Sequence, residues 1–153
     1  MTELRQDPTT YDWVIMAKER AKRPDEFHQN QAAKQPLPEH NGNCPFCPGN
    51  EHMTPEAYAV YGNSDKWKIR VIPNKYAALE PDGDTQREEW KIFRKMHGYG
   101  RHEIVIETPL HNQIIPFMDD GHVEELIQVY RDRYHCKRRK RYAIWPRYLR
   151  GFY

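Results

Sequence analysis

Two thiols set three positions apart, Cys44-Pro45-Phe46-Cys47, carry the strongest chemical signal in this sequence. On a tight turn, two thiolates at that spacing face one Zn²⁺ at about 2.3 Å and supply half of a tetrahedral site. The surrounding residues, CPFCPGNE, are rich in proline and glycine, as such a turn requires. The remaining ligands must come from elsewhere, and Cys136 and the eight His are the candidates. His111 follows an apolar strand and a Pro109 turn, which would hold it stiffly. The bland alternative for the cysteine pair is two small buried residues. A redox dithiol is disfavoured, because such motifs open a helix in a βαβ setting and none is visible.

Three other groups invite attention. Arg20 and Arg23, with Lys22 between them, form a cationic patch ending at Pro24. A guanidinium fork suits a phosphate or diphosphate, although a solvated charge cluster has the same composition. Asn74-Lys75 follows a predicted strand that ends at Pro73, and residues at strand ends often point into sites. His102 opens an alternating strand, where a satisfied, partly buried imidazole is the simpler reading. The sequence shows no Ser/His/Asp arrangement, no glycine-rich phosphate loop and no His-x-His pair. These residues alone do not make a self-sufficient active site.

The elements that must position these residues are few. YDWVIMA, residues 11–17, reads as a strand, and residues 18–43 read as surface loop. Thr54 and Pro55 predict a short helix over 54–61, with Thr54 as N-cap and Pro55 in the first position. WKIRVIP, residues 67–73, is a second strand, closed by Pro73. Residues 74–100 read as a long loop with turns at Pro81-Asp82-Gly83 and at 98–100. RHEIVIET, residues 101–108, alternates, with Ile104 and Ile106 on one face and Glu103, Val105 and Glu107 on the other. After Asp119-Asp120-Gly121, the apolar residues Val123, Leu126, Ile127 and Tyr130 fall at helical spacing. Few strands and helices joined by long connections predict an α+β fold.

Composition narrows the function further. The chain has 153 residues and 12 Pro, which suits one domain with a modest core. Its aromatic content of 12% argues against a disordered chain. No apolar run is long enough to span a bilayer, and the first residues hold no apolar signal core, so neither membrane insertion nor secretion is expected. The net charge of +2 is uneven: residues 135–153 hold seven basic residues and no acid, leaving 17 basic against 22 acidic residues in 1–134. An acidic body repels a phosphate backbone, so no nucleic-acid partner is expected. The competing picture is a small zinc-dependent nucleic-acid module that uses Lys137–Arg141 as its phosphate contact.

Taken in order, ELRQDPTTYDWVIMAKERAKRPDEF, CPFCPGNE, IRVIPNKYAAL, GRHEIVIETPLH and the helix ending VYRDRY resemble the N-terminal half of the galactose-1-phosphate uridylyltransferase family, over about residues 3–134. The family belongs to the histidine-triad superfamily. The resemblance implies exchange of UMP between UDP-glucose and a hexose 1-phosphate through a covalent uridylyl-histidine. It also implies an antiparallel half-barrel sheet with flanking helices, a homodimer and a cytoplasmic setting. By the same resemblance, Cys44, Cys47 and His111 are ligands of a structural zinc, Asn74 and Lys75 line the nucleotide pocket with Met53 nearby, and Arg20 and Arg23 meet the sugar phosphate. A related sugar-nucleotide phosphorylase that handles adenylyl groups shares these motifs and is the near alternative.

The sequence departs from the family after residue 134. The family's His-Pro-His-x-Gln, which supplies the fourth zinc ligand, the nucleophile and a phosphate-binding Gln, is absent from these 153 residues. In its place stands HCKRRKRYAIWPRYLRGFY. The expectation is a fragment, with residues 1–134 as an incomplete uridylyltransferase-like domain and 135–153 as a basic, non-family tail of frameshifted origin. Without the nucleophile its own transferase activity should be negligible, and a zinc ion would have three protein ligands and an open fourth position. Translating the DNA beyond codon 134 in the other two frames is expected to recover His-Pro-His-x-Gln; its absence from every frame would refute the frameshift.

Overall fold

The computed structural model describes residues 2–18, 36–63 and 66–139, with side chains as far as Cys136. Arg20 and Arg23 therefore lie outside the described residues, as do the side chains of the 137–141 basic run. The chain is α+β, as expected, and its strands pair antiparallel. Strands β1 (Glu3–Gln6), β2 (Trp13–Met16), β5 (Arg87–Trp90) and β6 (Phe93–His97) form one sheet in the order β2-β1-β6-β5. Strands β3 (Ala59–Asn63), β4 (Lys66–Pro73) and β7 (Glu103–Ile106) form a second, with β4 central. Helix α1 spans Asp120–Arg139.

The second sheet is covered on both faces. On one, Ile69 and Val71 of β4 pack with Leu126 and Val129 of α1, joined by Tyr61, Val105 and Tyr130. On the other, Trp67, Ile72 and Ile106 pack with Phe46, Ala57 and Ile104. Simple alternation would put Trp67 beside Ile69 and Val71. A β-bulge prevents this: Tyr61 faces Ile69 but Gly62 faces Trp67, so Lys68 is the extra residue and the alternation inverts. Gly62 makes the bulge possible, with φ at +104°, where a Cβ would come within 2.8 Å of the Lys68 amide nitrogen.

Strand β7 divides its faces as its alternation predicts, but the face that carries the acids is not left to solvent. Arg133 of α1 grips Glu103 through two hydrogen bonds, Nε to Oε2 at 3.1 Å and Nη2 to Oε1 at 2.9 Å, and the Glu103 side chain is only 3% exposed. The Tyr130 hydroxyl donates to Glu107 at 2.6 Å. Helix α1 begins where Asp119 accepts the His122 amide through Oδ1, an N-cap. It is helical as far as Arg139, the last described residue, past the helix end read at residue 134, because Lys and Arg propagate a helix.

Three expectations need correction. Residues 54–61 are not helical: a 3₁₀ turn occupies Glu51–Met53 and Thr54 is extended. The residue before a proline is pushed out of the helical region, and Tyr58 finds a better backbone partner, donating its amide to Val71 at 2.7 Å. The segment 74–100 is not one loop but contains the β5–β6 hairpin. β1 was hidden upstream of the predicted strand. Its turn to β2 is an Asx turn in which Asp7 Oδ1 accepts the Thr9 hydroxyl and the Thr9 and Thr10 amides. Those hydrogen bonds, the Thr9 hydroxyl first, hold the Asp7 carboxyl below its usual range.

Ile127, placed in the apolar stripe by its spacing, is 61% exposed, whereas Leu126 is 1% exposed. Leu126→Ala is expected to destabilise the chain by about 2–5 kcal/mol. Ile127→Ala should change stability by no more than about 0.5 kcal/mol. Urea unfolding of the two variants checks the pair.

Candidate metal centre

The Cys44–Cys47 turn is built by consecutive short-range hydrogen bonds. Cys44 donates its amide to Asn41, Cys47 to Cys44, Asn50 to Cys47 and Met53 to Asn50. The Asn50 side chain closes the loop from inside, donating to the carbonyls of Gly42 and Cys44 at 2.9 and 2.8 Å. Gly49, at φ +88°, turns the chain between them. His111 arrives from the other side of the sequence. Its amide donates to the Glu39 carbonyl at 2.8 Å, and Thr108 braces the turn before it by accepting the Leu110 amide and bonding Gln113.

The result is a cluster in which Cys44 Sγ, Cys47 Sγ and one His111 ring nitrogen all lie within 4.8 Å of one another. Cys47 Sγ and His111 Nδ1 are 3.5 Å apart. A tetrahedral ion about 2.3 Å from sulfur and about 2.0 Å from nitrogen requires a separation of about 3.5 Å, so the donors fit one small cation. Cys47 is 2% exposed. Burial pushes its thiol above the ordinary value, and the neighbouring Cys44 pushes it further. A thiolate there needs a cation beside it, and a soft, borderline metal suits two sulfurs and an imidazole. Cys136, the other cysteine considered, lies half-buried on α1 and is not among these donors.

The residues expected at the nucleotide pocket take more ordinary places. Met53 ends the 3₁₀ turn after the knuckle and is 48% exposed. Asn74 ties the end of β4 to the start of β7. Its amide donates to the His102 carbonyl at 2.9 Å, its Oδ1 accepts the Tyr76 amide at 2.8 Å, and its Nδ2 lies 3.2 Å from His102 Nε2. His102 Nδ1 accepts the Ala78 amide at 3.0 Å, so this imidazole is satisfied, as its sequence context suggested. Lys75 is exposed, with Nζ 6.0 Å from the Tyr76 ring centroid.

Sequence reasoning passed over a polar network behind the knuckle. Arg70 of β4 is 3% exposed, and its Nη2 donates to the Thr54 hydroxyl at 3.0 Å. The Trp67 indole donates to Glu51 Oε1 at 2.8 Å. Burial alone would raise the Glu51 carboxyl. The Trp67 hydrogen bond, the backbone amides and the Arg70 charge together outweigh burial and hold it below its ordinary value of 4.5. The available signal was two cations, Lys68 and Arg70, inside the otherwise apolar run W-K-I-R-V-I.

The chain is an antiparallel α+β scaffold carrying a Cys₂His donor cluster, and its fold is that of the uridylyltransferases. A solved uridylyltransferase structure covers 91% of this chain and 36% of its own length, with a TM-score of 0.56 at 18% identity, which is a likeness of fold. The model of the family described as "Galactose-1-phosphate uridyl transferase, N-terminal domain" matches residues 1–146, and the chain belongs to that family. ADP-glucose phosphorylase of Arabidopsis thaliana is 37% identical over 134 residues, which is 86% of this chain and 38% of that protein. Its structure with bound ADP-glucose superposes with a TM-score of 0.51 at 29% identity, covering 90% of this chain and 38% of the other. The galactose-1-phosphate uridylyltransferase of Haemophilus influenzae is 26% identical over 130 residues, 84% of this chain and 36% of that protein. The chain thus spans little more than a third of these relatives, which are nucleotidyltransferase-type enzymes. No helix among the described residues is long and apolar enough to cross a membrane.

The Glu51 carboxylate favours the folded state only while it is ionised. Its contribution is complete above the unfolded value and is lost as pH falls through the lower, folded one. Acid titration of the unfolding free energy should therefore fall more steeply for the wild-type chain than for Glu51→Gln. Parallel curves would show that the network carries no charge contribution.

Proposed function

We propose that this chain supplies the metal-bearing, nucleotide-sugar-binding portion of a hexose-1-phosphate nucleotidyltransferase. The single observation that carries the reading is the convergence of Cys44, Cys47 and His111 from distant segments into one metal-sized donor set. Zn²⁺ is the ion proposed; when bound it would supply a fixed tetrahedral anchor for the turn. Cys44 and Cys47 would hold one side of that anchor and His111 the other, which would tie the knuckle to the loop after β7. Asn74 and Lys75, at the exit of β4, and Met53, at the end of the 3₁₀ turn, are proposed to line the nucleotide pocket. Arg20 and Arg23 are proposed to meet the sugar phosphate as permanently charged forks. No His-Pro-His-x-Gln occurs in these 153 residues, so no residue of this chain is assigned the role of nucleophile.

The sugar nucleotide has two candidates. The uridylyltransferase relatives support UDP-glucose with a hexose 1-phosphate. The 37% identity to ADP-glucose phosphorylase, with the fold likeness to its ADP-glucose complex, favours an adenylyl-type substrate as a second reading. A homodimer and a cytoplasmic setting belong to the same proposal by family.

Metal analysis of the purified chain should find zinc near one equivalent, lost on Cys44→Ser or Cys47→Ser. Calorimetric titration of the zinc-loaded chain with UDP-glucose and with ADP-glucose then decides the nucleotide. Binding of neither, in a chain that retains zinc, would remove the pocket assignment.

A further inference from the structure

Arg70 sits in a strand buried on both faces, where a guanidinium cannot escape its charge by losing a proton. Such a residue is tolerated only if its partners compensate it. Those partners all lie on one short segment. Nη2 donates to Thr54 Oγ1 at 3.0 Å, and Nη1 lies 3.8 Å from Glu51 Oε1. Nη1 has no hydrogen-bond partner among the described residues. The guanidinium also lies against the Trp67 ring, 5.4 Å from its centroid, and the Trp67 indole N–H holds the same Glu51 oxygen. The Thr54 hydroxyl in turn donates to the Glu51 carbonyl at 2.9 Å. The segment Glu51–Thr54 is the direct continuation of the knuckle.

The other end of the knuckle is also seated on β4, since Phe46, between the two cysteines, packs on the Trp67–Ile72–Ile106 cluster. His111 is held by the Glu39 carbonyl and the Thr108 turn, and Glu39 leads into the knuckle, where Asn41 accepts the Cys44 amide and His40 Nε2 lies 3.0 Å from the Pro48 carbonyl. The separation of thiols and imidazole therefore has two supports, the 39–41 segment and the attachment of the knuckle to the sheet. We propose that Arg70, acting through Glu51 and Thr54 on a Trp67 platform, is a positioning residue that holds the Cys44–Cys47 turn at the separation from His111 that one metal ion demands. The proposal rests on the metal reading of the three donors.

The test uses the whole 153-residue chain. Zn²⁺ affinity is measured by competition with a chromophoric chelator, and Co²⁺ is titrated in while the thiolate-to-metal charge-transfer band is followed. Thr54→Val keeps the shape of the side chain and removes the hydroxyl; Thr54→Ser keeps the hydroxyl. Glu51→Ala removes the shared acceptor, and Arg70→Met removes the cation. Thr54→Val and Glu51→Ala are expected to weaken metal binding by about 10–100-fold, the usual effect of removing an outer partner. Thr54→Ser should restore wild-type affinity and the wild-type Co²⁺ band. Thr54 and Glu51 lie on a partly exposed turn, so these variants decide the matter even if Arg70→Met does not fold. A role in general stability alone would instead lower the Tm of the metal-free chain without changing affinity. If wild type binds the ions and Thr54→Val and Glu51→Ala bind equally well, the positioning role is overturned and the metal reading stands. If wild type binds neither ion, both fall together.

Discussion

Strand β4 is packed on both of its faces, and the rest of the molecule is arranged around that constraint. One face receives α1 through Ile69 and Val71; the other receives the knuckle through Trp67, Arg70 and Ile72. With no solvent side, the strand cannot slip by one residue without exchanging two cores. The bulge opposite Gly62 sets which residue goes where. Without it, the Trp67 indole would point toward α1 and Glu51 would lose its donor. A residue with no side chain thus decides the geometry of a polar network on the far side of the sheet.

The buried charges follow one pattern. Arg133 and Glu103 join α1 to β7, and Arg70 joins β4 to the segment after the knuckle. The hydrogen bond to Glu103, with the carboxylate's charge, outweighs burial and raises the affinity of Arg133 for its proton beyond an already high value. Tyr58 adds to this corner, with the Arg101 and Arg133 guanidinium groups 4.8 and 5.8 Å from its ring centroid. Such pairs contribute little net stability against apolar replacements, but breaking one side is costly, so they define which elements meet.

Much of this was legible in the sequence where periodicity or capping spoke clearly. β4 and β7 announced themselves through β-branched runs ended by turn residues, and α1 through the apolar spacing that follows Asp119-Asp120-Gly121. β5 and β6 did not, because their side chains lie mostly at the surface and leave no apolar alternation to read. Their turn also lacks the usual glycine: Lys91 takes φ +56° between paired Trp90 and Phe93. The helix predicted over 54–61 failed because local cap chemistry was outweighed by pairing with β4. In α1 Leu126 and Tyr130 fell on the packed face as read, but Val129 takes the place given to Ile127, since spacing defines a face only approximately. At the candidate metal centre, the thiol pair was visible as a motif, but the third donor became identifiable only through family resemblance. Arg70 could have been flagged as a cation in an apolar run, yet its partners depend on a register that no local pattern reveals.

Cys47 and His111 approach to 3.5 Å although 64 residues separate them along the chain. An ion shared by the two would close that entire span into a ring. The chelate would then act on the unfolded ensemble as well as on the native one, by excluding every open conformation of the segment that carries β3 to β7. By the relation used for a covalent cross-link of that length, the exclusion amounts to about 4 kcal/mol at 25 °C. A chelator would then lower the stability of the second sheet by freeing the unfolded chain, with none of the native contacts of that sheet removed.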